Sequence, residues 1–253
     1  AALAAAEDER NLGCRFENVV FLVPLDVGEG EEAVIRTRLD RSRNGYSFQV
    51  TSRRGNEWVT HAKGRIVPVR DTPATRTVDI EESKRSATEV VDPVILETDT
   101  GVFRFGPRWD SVRATWKRGG RVLAHLQCPP GVDREESAYG LHPAMLDNAV
   151  NLLSQDSGTY LPYVYKSFLL YRSMPESFYS LIRTLRDDGP DGETITFDVD
   201  LVDADGVVFG EVTDYTVKKV DWERFSLGKQ EQYLTLGWTA VTEPTEDAPE
   251  GSS

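Results

Sequence analysis

The sequence has 253 residues, of which 29 are Lys or Arg and 42 are Asp or Glu, so its formal net charge is -13 at pH 7. This length suits one large domain or two small ones, and a hydrophobic content of 39% is sufficient for a buried core. The acidic charge argues against a nucleic-acid-binding protein, no apolar run approaches the roughly 20 residues of a membrane span, and nothing resembles a signal peptide. We therefore expect a cytoplasmic protein with no nucleic-acid or membrane partner.

The first part of the chain is predicted to be one helix followed by strands. Residues 1–10 (AALAAAEDER) favour a helix but have no N-cap before them, so we interpret them as the end of a helix that begins upstream. Alternating or strongly apolar segments predict strands at 16–25, 33–39, 46–51 and 58–69. Asn44 and Gly45 predict the hairpin turn between the second and third strands. Residues 71–92 lack periodicity and are the expected connector to a second unit.

The second part of the chain repeats this plan. Strands are predicted at 112–116 and 121–127, and a helix is predicted at 143–154, with Pro143 at its first position. The predicted apolar face of that helix consists of Leu146, Ala149, Val150 and Leu153. Further strands are predicted at 167–171, 178–186, 193–202 and 207–220.

Two consecutive sets of one helix and several antiparallel strands predict an α+β protein. We interpret the pattern as a double hotdog, in which each unit packs a long helix against a curved antiparallel sheet. Residues 1–85 are then the N-terminal hotdog and residues 86–228 the C-terminal hotdog. Residues 229–253 end in acids, Pro, Gly and Ser, and are the expected linker toward the next domain of a multienzyme.

The second predicted helix carries an unusual polar pair. Asp147 and Asn151 are four residues apart and therefore lie on the same side of the helix, next to its apolar face. A buried carboxyl group has a raised pKa and stays protonated near neutral pH, which suits a general acid. On spacing alone an exposed carboxylate on the solvent flank is the favoured interpretation, because charged residues are seldom fully buried, so the pair by itself leaves the acid an open alternative.

Metal sites and disulfides are not predicted. The three histidines, His61, His125 and His142, are not at ligand spacing, and the two cysteines, Cys14 and Cys128, are isolated. No glycine-rich phosphate-binding loop is found either. Chemistry without a cofactor is therefore expected.

Several segments resemble one family in the same order along the chain. Residues 141–147 (LHPAMLD) resemble the His-Pro-Ala-Leu-Leu-Asp signature of dehydratase domains in modular polyketide synthases and animal-type fatty acid synthases. Residues 105–109 (FGPRW) resemble their Tyr-Gly-Pro-x-Phe segment, and residues 161–165 (LPYVY) resemble their Leu-Pro-Phe-Ser-Trp segment. Residues 58–64 (WVTHAKG) resemble a Trp-x-x-His-Ala-x-Gly strand of the first hotdog. Including the resemblance of residues 233–241 to the start of a ketoreductase region, the likeness extends over nearly the whole chain.

The resemblance implies an enzyme that removes water from a 3-hydroxyacyl thioester to give a 2-enoyl thioester. The substrate is carried on the phosphopantetheine of an acyl carrier protein, and neither a metal nor a nucleotide takes part. A His of the first hotdog removes the α-proton, and an Asp of the second protonates the leaving hydroxyl, a role that falls on Asp147. Asn151 and His142 are the implied supporting residues. The implied substrate-binding residues are Phe105, Gly106, Pro107, Leu161, Pro162 and Tyr165.

The family also implies a homodimer with neighbouring domains of the same multienzyme as partners. The sequence departs from the family in one respect, since the His-x-x-x-Gly-x-x-x-x-Pro motif of the catalytic His is not found in it. We expect that base upstream of residue 1 and structural roles for the three histidines present. Two alternatives stay open, namely a double-hotdog cyclase or isomerase, and an inactive structural or dimerisation domain.

Overall fold

The structure is a computed structural model that describes residues 13–25, 27–28, 30–69, 75–91, 105–130, 141–152, 160–187 and 193–220. The predicted helix at 1–10 and the predicted linker at 229–253 lie outside these ranges. Within them, no helix is long and apolar enough to cross a membrane.

The described strands form one antiparallel sheet. Their bounds are β1 Cys14–Phe21, β2 Ile35–Ser42, β3 Gly45–Arg54, β4 Glu57–Pro68, β5 Glu89–Val91, β6 Val112–Arg118, β7 Arg121–Gln127, β8 Tyr160–Leu170, β9 Ser177–Asp187, β10 Thr194–Val202 and β11 Val208–Lys219. Their order across the sheet is β2-β3-β4-β1-β8-β11-β10-β9-β7-β6-β5. The first four strands form one unit and the other seven form the second, and the two units join where Cys14 of β1 lies opposite Leu170 of β8. This is the predicted α+β double hotdog.

The β2–β3 hairpin forms as predicted, but its turn is shifted by one residue. Arg43 and Asn44 form the turn, while Gly45 already pairs with Ser42 as the first residue of β3. Gly45 has a φ of 142°, and a Cβ at this position would lie 2.1 Å from the carbonyl oxygen of Ile66. Glycine is therefore required here both by the backbone conformation and by the closeness of β4.

The predicted connector at 71–92 contains regular structure in its described part. Helix α1, Ile80–Arg85, begins at Asp79, whose side chain accepts a hydrogen bond from the Glu82 amide. Ile80, the first residue of this helix, is buried in a cluster with Leu123, Val202 and Val208, and β5 pairs with β6. These two elements were not predicted because each is too short to show an apolar period and because the segment is rich in charged residues.

Helix α2, Pro143–Asn151, packs on the second unit. Ala149 and Val150 are buried as predicted, but Leu146 is only partly buried and Leu153 lies outside the described residues. The buried face is instead completed by Met145 and by the polar Asn148. A polar residue is normally assigned to the exposed face, and here it is buried because its amide finds hydrogen-bond partners, as described below.

Candidate functional site

The start of α2 places Asp147 at a fixed point beside the sheet. His142 is the N-cap, and its Nδ1 accepts a hydrogen bond from the Met145 amide at 3.2 Å. Pro143 occupies the first helical position, where its missing amide hydrogen costs nothing. Asp147 follows one turn later, and a supporting role for His142 stays a prediction.

The Asp147 carboxyl group accepts hydrogen bonds on both of its oxygens. Trp109 Nε1 donates to Oδ2 at 2.9 Å, and the Asn151 side-chain nitrogen donates to Oδ1 at 2.7 Å. The second bond links residues one helical turn apart, as the i, i+4 spacing predicts. The carboxyl group is therefore oriented by one partner from its own helix and by one from another segment.

Trp109 is itself held in place by α2. It ends the 3₁₀ turn Pro107–Trp109, which begins at Gly106, and its carbonyl oxygen accepts a hydrogen bond from the Asn148 side-chain nitrogen at 2.6 Å. The same nitrogen donates to Ser111 Oγ at 2.8 Å. Asn148 and Ser111 are both buried, with 4% and 0% of their surface exposed. These hydrogen bonds satisfy the polar groups that the packing of the 3₁₀ turn on α2 buries.

On the other side of Asp147, Asn151 is bound by a tyrosine. Tyr215 of β11 donates its hydroxyl hydrogen to Asn151 Oδ1 at 2.6 Å. The Tyr215 ring is fully buried and stacks on Tyr165 of β8, with centroids 4.4 Å apart and an interplanar angle of 10°. Tyr165 also contacts Phe21 of β1, at 5.7 Å between ring centroids. Trp109, Asp147, Asn151 and Tyr215 together are called the acid cluster below.

The surroundings of Asp147 favour its protonated form. Burial raises the pKa of Asp147, whereas the hydrogen bonds from Trp109 and Asn151 lower it, and the balance leaves the pKa above its ordinary value. Neither partner can take the proton, because an indole nitrogen only donates and Asn151 turns its NH₂ group toward the acid. The proton is thus available to a third group, which is what a general acid requires.

The predicted substrate-binding residues are placed at different distances from this cluster. Phe105 packs on Trp109, with ring centroids 5.8 Å apart, and Gly106 and Pro107 build the 3₁₀ turn that carries Trp109. Tyr165 stacks on Tyr215, as described above. These four residues therefore surround the acid cluster.

Leu161 and Pro162 were predicted to shape a substrate channel, and they lie inside β8. They face Lys218 and Val217 of β11. The register shifts between Val164 and Pro162, so alternation along β11 puts Pro162, opposite Val217, on the face of Tyr215, and Leu161 on the other face. Pro162 lies beyond Val164, the last β8 residue paired with β1, so its missing amide hydrogen breaks no bond between those two strands. A role for either residue in substrate binding stays a prediction.

His61 and His125 each lie within hydrogen-bond distance of neighbouring groups, and their structural roles stay a prediction. His61 is buried, with Nδ1 2.9 Å from the carbonyl oxygen of Val23 and Nε2 2.7 Å from Ser52 Oγ. His125 lies 2.9 Å from Ser177 Oγ, and burial lowers its pKa. Among the residues that the structure describes, no group of three or more His, Cys, Asp or Glu side chains could hold a metal ion.

Sequence analysis missed two members of the acid cluster. Trp109 stands in a recognised segment, but its position there gives no indication that its indole nitrogen binds the acid. Tyr215 follows the alternating pattern of a strand and therefore resembles an ordinary core residue. Its hydrogen bond to Asn151 depends on which strand lies beside α2, and that arrangement cannot be recognised from a single sequence.

Comparison with known proteins agrees with the predicted family. The polyketide synthase dehydratase N-terminal domain family matches residues 95–226. Polyketide synthase PksM of Bacillus subtilis is 23% identical over 230 residues, which are 83% of this chain but only 5% of that protein. The chain therefore spans a small fraction of this relative's length.

Solved structures show the same fold. The dehydratase domain from the CurF module of the curacin polyketide synthase superposes with a TM-score of 0.77 at 23% identity, covering 87% of this chain and 81% of that one. A trans-acyltransferase polyketide synthase enoyl-isomerase superposes with a TM-score of 0.67 at 18% identity, covering 83% and 82%. The double-hotdog fold is thus shared with domains that perform different reactions.

Proposed function

This chain belongs to the polyketide synthase dehydratase family, and on that premise we propose that it converts a 3-hydroxyacyl thioester on an acyl carrier protein to the 2-enoyl thioester. Asp147 is the acid of this reaction, and a histidine upstream of residue 1 is the base. The observation that carries the proposal is the environment of Asp147, whose pKa is raised by burial and whose two partners only donate hydrogen bonds to it.

The proposed reaction moves two protons. The upstream base removes a proton from the carbon next to the thioester carbonyl, and the electron pair of that C–H bond forms the new double bond. The bond between the third carbon and its hydroxyl oxygen breaks, and the proton of Asp147 moves to that oxygen, which leaves as water. A thioester makes the first proton acidic, so no metal or nucleotide is needed for this step.

Trp109 and Asn151 have a defined purpose in this reaction. Asp147 begins neutral and ends as a carboxylate, and both hydrogen bonds stabilise the charged form more strongly than the neutral one. They therefore stabilise the acid increasingly as its proton leaves, which lowers the barrier. Their donors are fixed before the reaction by the Asn148 and Tyr215 hydrogen bonds, so little reorganisation is required.

The proposed setting of this domain is a multienzyme. A phosphopantetheine arm would bring the acyl chain to Asp147, and neighbouring domains of the same polypeptide would supply and consume it. The small fraction of PksM that this chain covers supports such a setting. A homodimer, as in the family it resembles, is part of the proposal.

The experiment that tests the function is an intact-mass measurement on a carrier protein loaded with a 3-hydroxyacyl group. The carrier is incubated with this chain alone and with the chain extended through its natural upstream residues. We expect loss of one water with the extended protein and none with the shorter one, because the base lies in the extension. Loss of water from neither protein, with both folded, would refute the proposal in favour of an inactive structural domain.

The same experiment separates the other double-hotdog reactions. The product is released from the carrier and its double bond is located by NMR. A 2-enoyl product supports dehydration, a bond at the 3,4 position would indicate an isomerase, and a cyclic ether would indicate a cyclase. Asp147 favours dehydration, since only that reaction must protonate a leaving hydroxyl.

A further inference from the structure

The side-chain amide of Asn151 can adopt two orientations that differ by a 180° rotation. Its nitrogen faces Asp147 Oδ1 at 2.7 Å, and its oxygen faces the Tyr215 hydroxyl at 2.6 Å. Rotating an amide by 180° exchanges a donor for an acceptor at almost no steric cost, so only its hydrogen-bond partners determine which end faces the acid. Asp147 alone does not decide this, because a protonated carboxyl group can donate to an amide oxygen as well as accept from an amide nitrogen.

Tyr215 favours the orientation in which the Asn151 nitrogen faces Asp147, because its hydroxyl donates to the amide oxygen. Its ring is fully buried on β11, between Tyr165 at 4.4 Å and Phe197 at 6.1 Å. Burial raises the pKa of Tyr215 well above its ordinary value, so its hydroxyl stays protonated. Its hydroxyl donates a hydrogen bond to Asn151 and also interacts with the neighbouring Tyr165 hydroxyl, and a buried hydroxyl that lost its partners would be costly.

We propose that Tyr215 is a positioning residue that holds the Asn151 amide with its nitrogen toward Asp147, and so keeps the acid's proton free for the substrate. As far as turnover is concerned, this inference rests on the proposed dehydration. In the opposite orientation the Asn151 oxygen would accept the proton of Asp147 and compete with the leaving hydroxyl for it. The carboxylate formed in the reaction would also face an amide oxygen, which repels it.

The inference predicts the direction in which the acid titrates. Without the Tyr215 hydroxyl, Asn151 is a weaker or misdirected donor, so the charged form of Asp147 loses stabilisation and the pKa of Asp147 rises further. The described titratable groups that interact with Asp147 are Tyr165 of β8 and Tyr215 of β11, both neutral phenols, while His142 lies at the start of its own helix. Tyr215→Phe removes no charge, so a changed titration reports on hydrogen bonding.

The test is a carboxyl ¹³C NMR titration of Asp147 in the full chain, assigned by the resonance that disappears in Asp147→Asn. We expect Tyr215→Phe to raise the midpoint by roughly half a unit to one unit, the equivalent of one hydrogen bond of typical strength. The matched control is Tyr179→Phe, which removes a hydroxyl that accepts a hydrogen bond from Lys84 at 3.3 Å, outside the acid cluster. An Asp147 midpoint that is equal in wild type and Tyr215→Phe would overturn the inference.

A second variant tests whether the Asn151 side chain transmits the effect of Tyr215 to Asp147, without altering the tyrosine. Asn151→Ala should raise the Asp147 midpoint by a similar amount, and Tyr215→Phe should then add nothing, because it acts only through Asn151. Additive shifts, or no shift in Asn151→Ala, would show that Asn151 does not transmit the effect. The Asn151→Ala shift can still be measured if Tyr215→Phe folds poorly, and neither titration needs an active protein.

Kinetics in the upstream-extended protein complete the test. We expect either variant to lower kcat roughly 3- to 10-fold with little change in KM, less than the loss caused by removing Asp147 itself. The alkaline limb of kcat should move to higher pH, since the acid keeps its proton longer. A shifted Asp147 titration without any water loss from the substrate would disprove the proposed function and leave the role of Tyr215 intact. Water loss with an unshifted Asp147 titration would support the proposed function and disprove the role of Tyr215.

Discussion

Among the described residues, the two units of the sheet differ in how many residues they bury. In the second unit, twenty buried residues form one cluster between α2 and the sheet. In the described part of the first unit, the corresponding cluster has Cys14 and Ile66 as its buried members, with Phe16, Leu39 and Phe48 partly buried against it. Strand β2 lies at the edge of the sheet, and seven of its eight residues are exposed.

This difference matters because the acid cluster belongs entirely to the unit whose described residues form the larger core. Its four residues come from the 3₁₀ turn, from α2 and from β11. The described contribution of the first unit is the contact of Phe21 with Tyr165. An acid has to be held within a fraction of an ångström to act efficiently, and a rigid, well-packed unit provides this.

The largest expected effect follows from removing the acid. We expect Asp147→Asn in the upstream-extended protein to lower kcat by roughly 10²- to 10⁴-fold, the range for loss of a positioned acid. The control is Asp110→Asn, which changes a nearby carboxylate whose side chain is 76% exposed. Steady-state turnover of a 3-hydroxyacyl thioester measures both, and near-wild-type activity in folded Asp147→Asn would remove Asp147 from the mechanism.

A matched pair of core substitutions sharpens the comparison of the two units. Ile182 of β9 and Ile66 of β4 are 0% and 1% exposed, but Ile182 lies in the large cluster and Ile66 in the small one. We expect Ile182→Ala to lower the free energy of unfolding by about 4 kcal/mol and Ile66→Ala by about 2 kcal/mol, because partly exposed neighbours can collapse into the cavity. Urea denaturation measures both, and equal losses would show that the two units are packed alike.

Removing the indole donor tests how the second unit tunes its acid. Trp109→Phe keeps an aromatic ring but loses the hydrogen bond to Asp147 Oδ2. Because that bond lowers the pKa of Asp147, its loss should raise the pKa, so the alkaline limb of kcat moves to higher pH. We expect kcat to fall roughly 10-fold, as the developing carboxylate loses one donor. Trp116→Phe on β6 is the control, and identical pH profiles for the two variants would contradict the assignment of Trp109.

The smallest expected effect concerns the first unit. Phe21→Leu removes the aromatic contact with Tyr165 but keeps an apolar side chain. We expect kcat to change by less than roughly 3-fold, because Phe21 is only partly buried, an apolar side chain is kept and no hydrogen bond of the acid cluster is altered. A loss as large as that of Trp109→Phe would show that the first unit also positions the acid.

The sequence predicted the elements of the fold better than the contacts between them. The i, i+4 spacing correctly joined Asp147 to Asn151, because helix geometry is local. The bond from Tyr215 to Asn151 spans 64 residues and depends on the register of β11 beside α2, which no local pattern specifies. Nothing in the sequence singled out Asn148, because only the folded chain brings Trp109 and Ser111 to its side-chain amide.

Backbone constraints were also only partly visible in the sequence. Asn44 and Gly45 correctly predicted a hairpin, yet the need for glycine comes from β4, whose Ile66 oxygen lies where a Cβ would be. Similarly, the short α1 and β5 were hidden in a charged stretch, since each is stabilised by its neighbours and not by its own periodicity.

The central claim is that Asp147 is an acid with a raised pKa, held by two donors in the second unit. The most direct measurement is the ¹³C titration of its carboxyl group in the intact wild-type chain. The account predicts a midpoint above the value of about 3.9 for an ordinary Asp side chain, because burial outweighs the two hydrogen bonds. A midpoint at or below that value would show that Asp147 is a carboxylate with no proton to give, and would contradict its role as the acid.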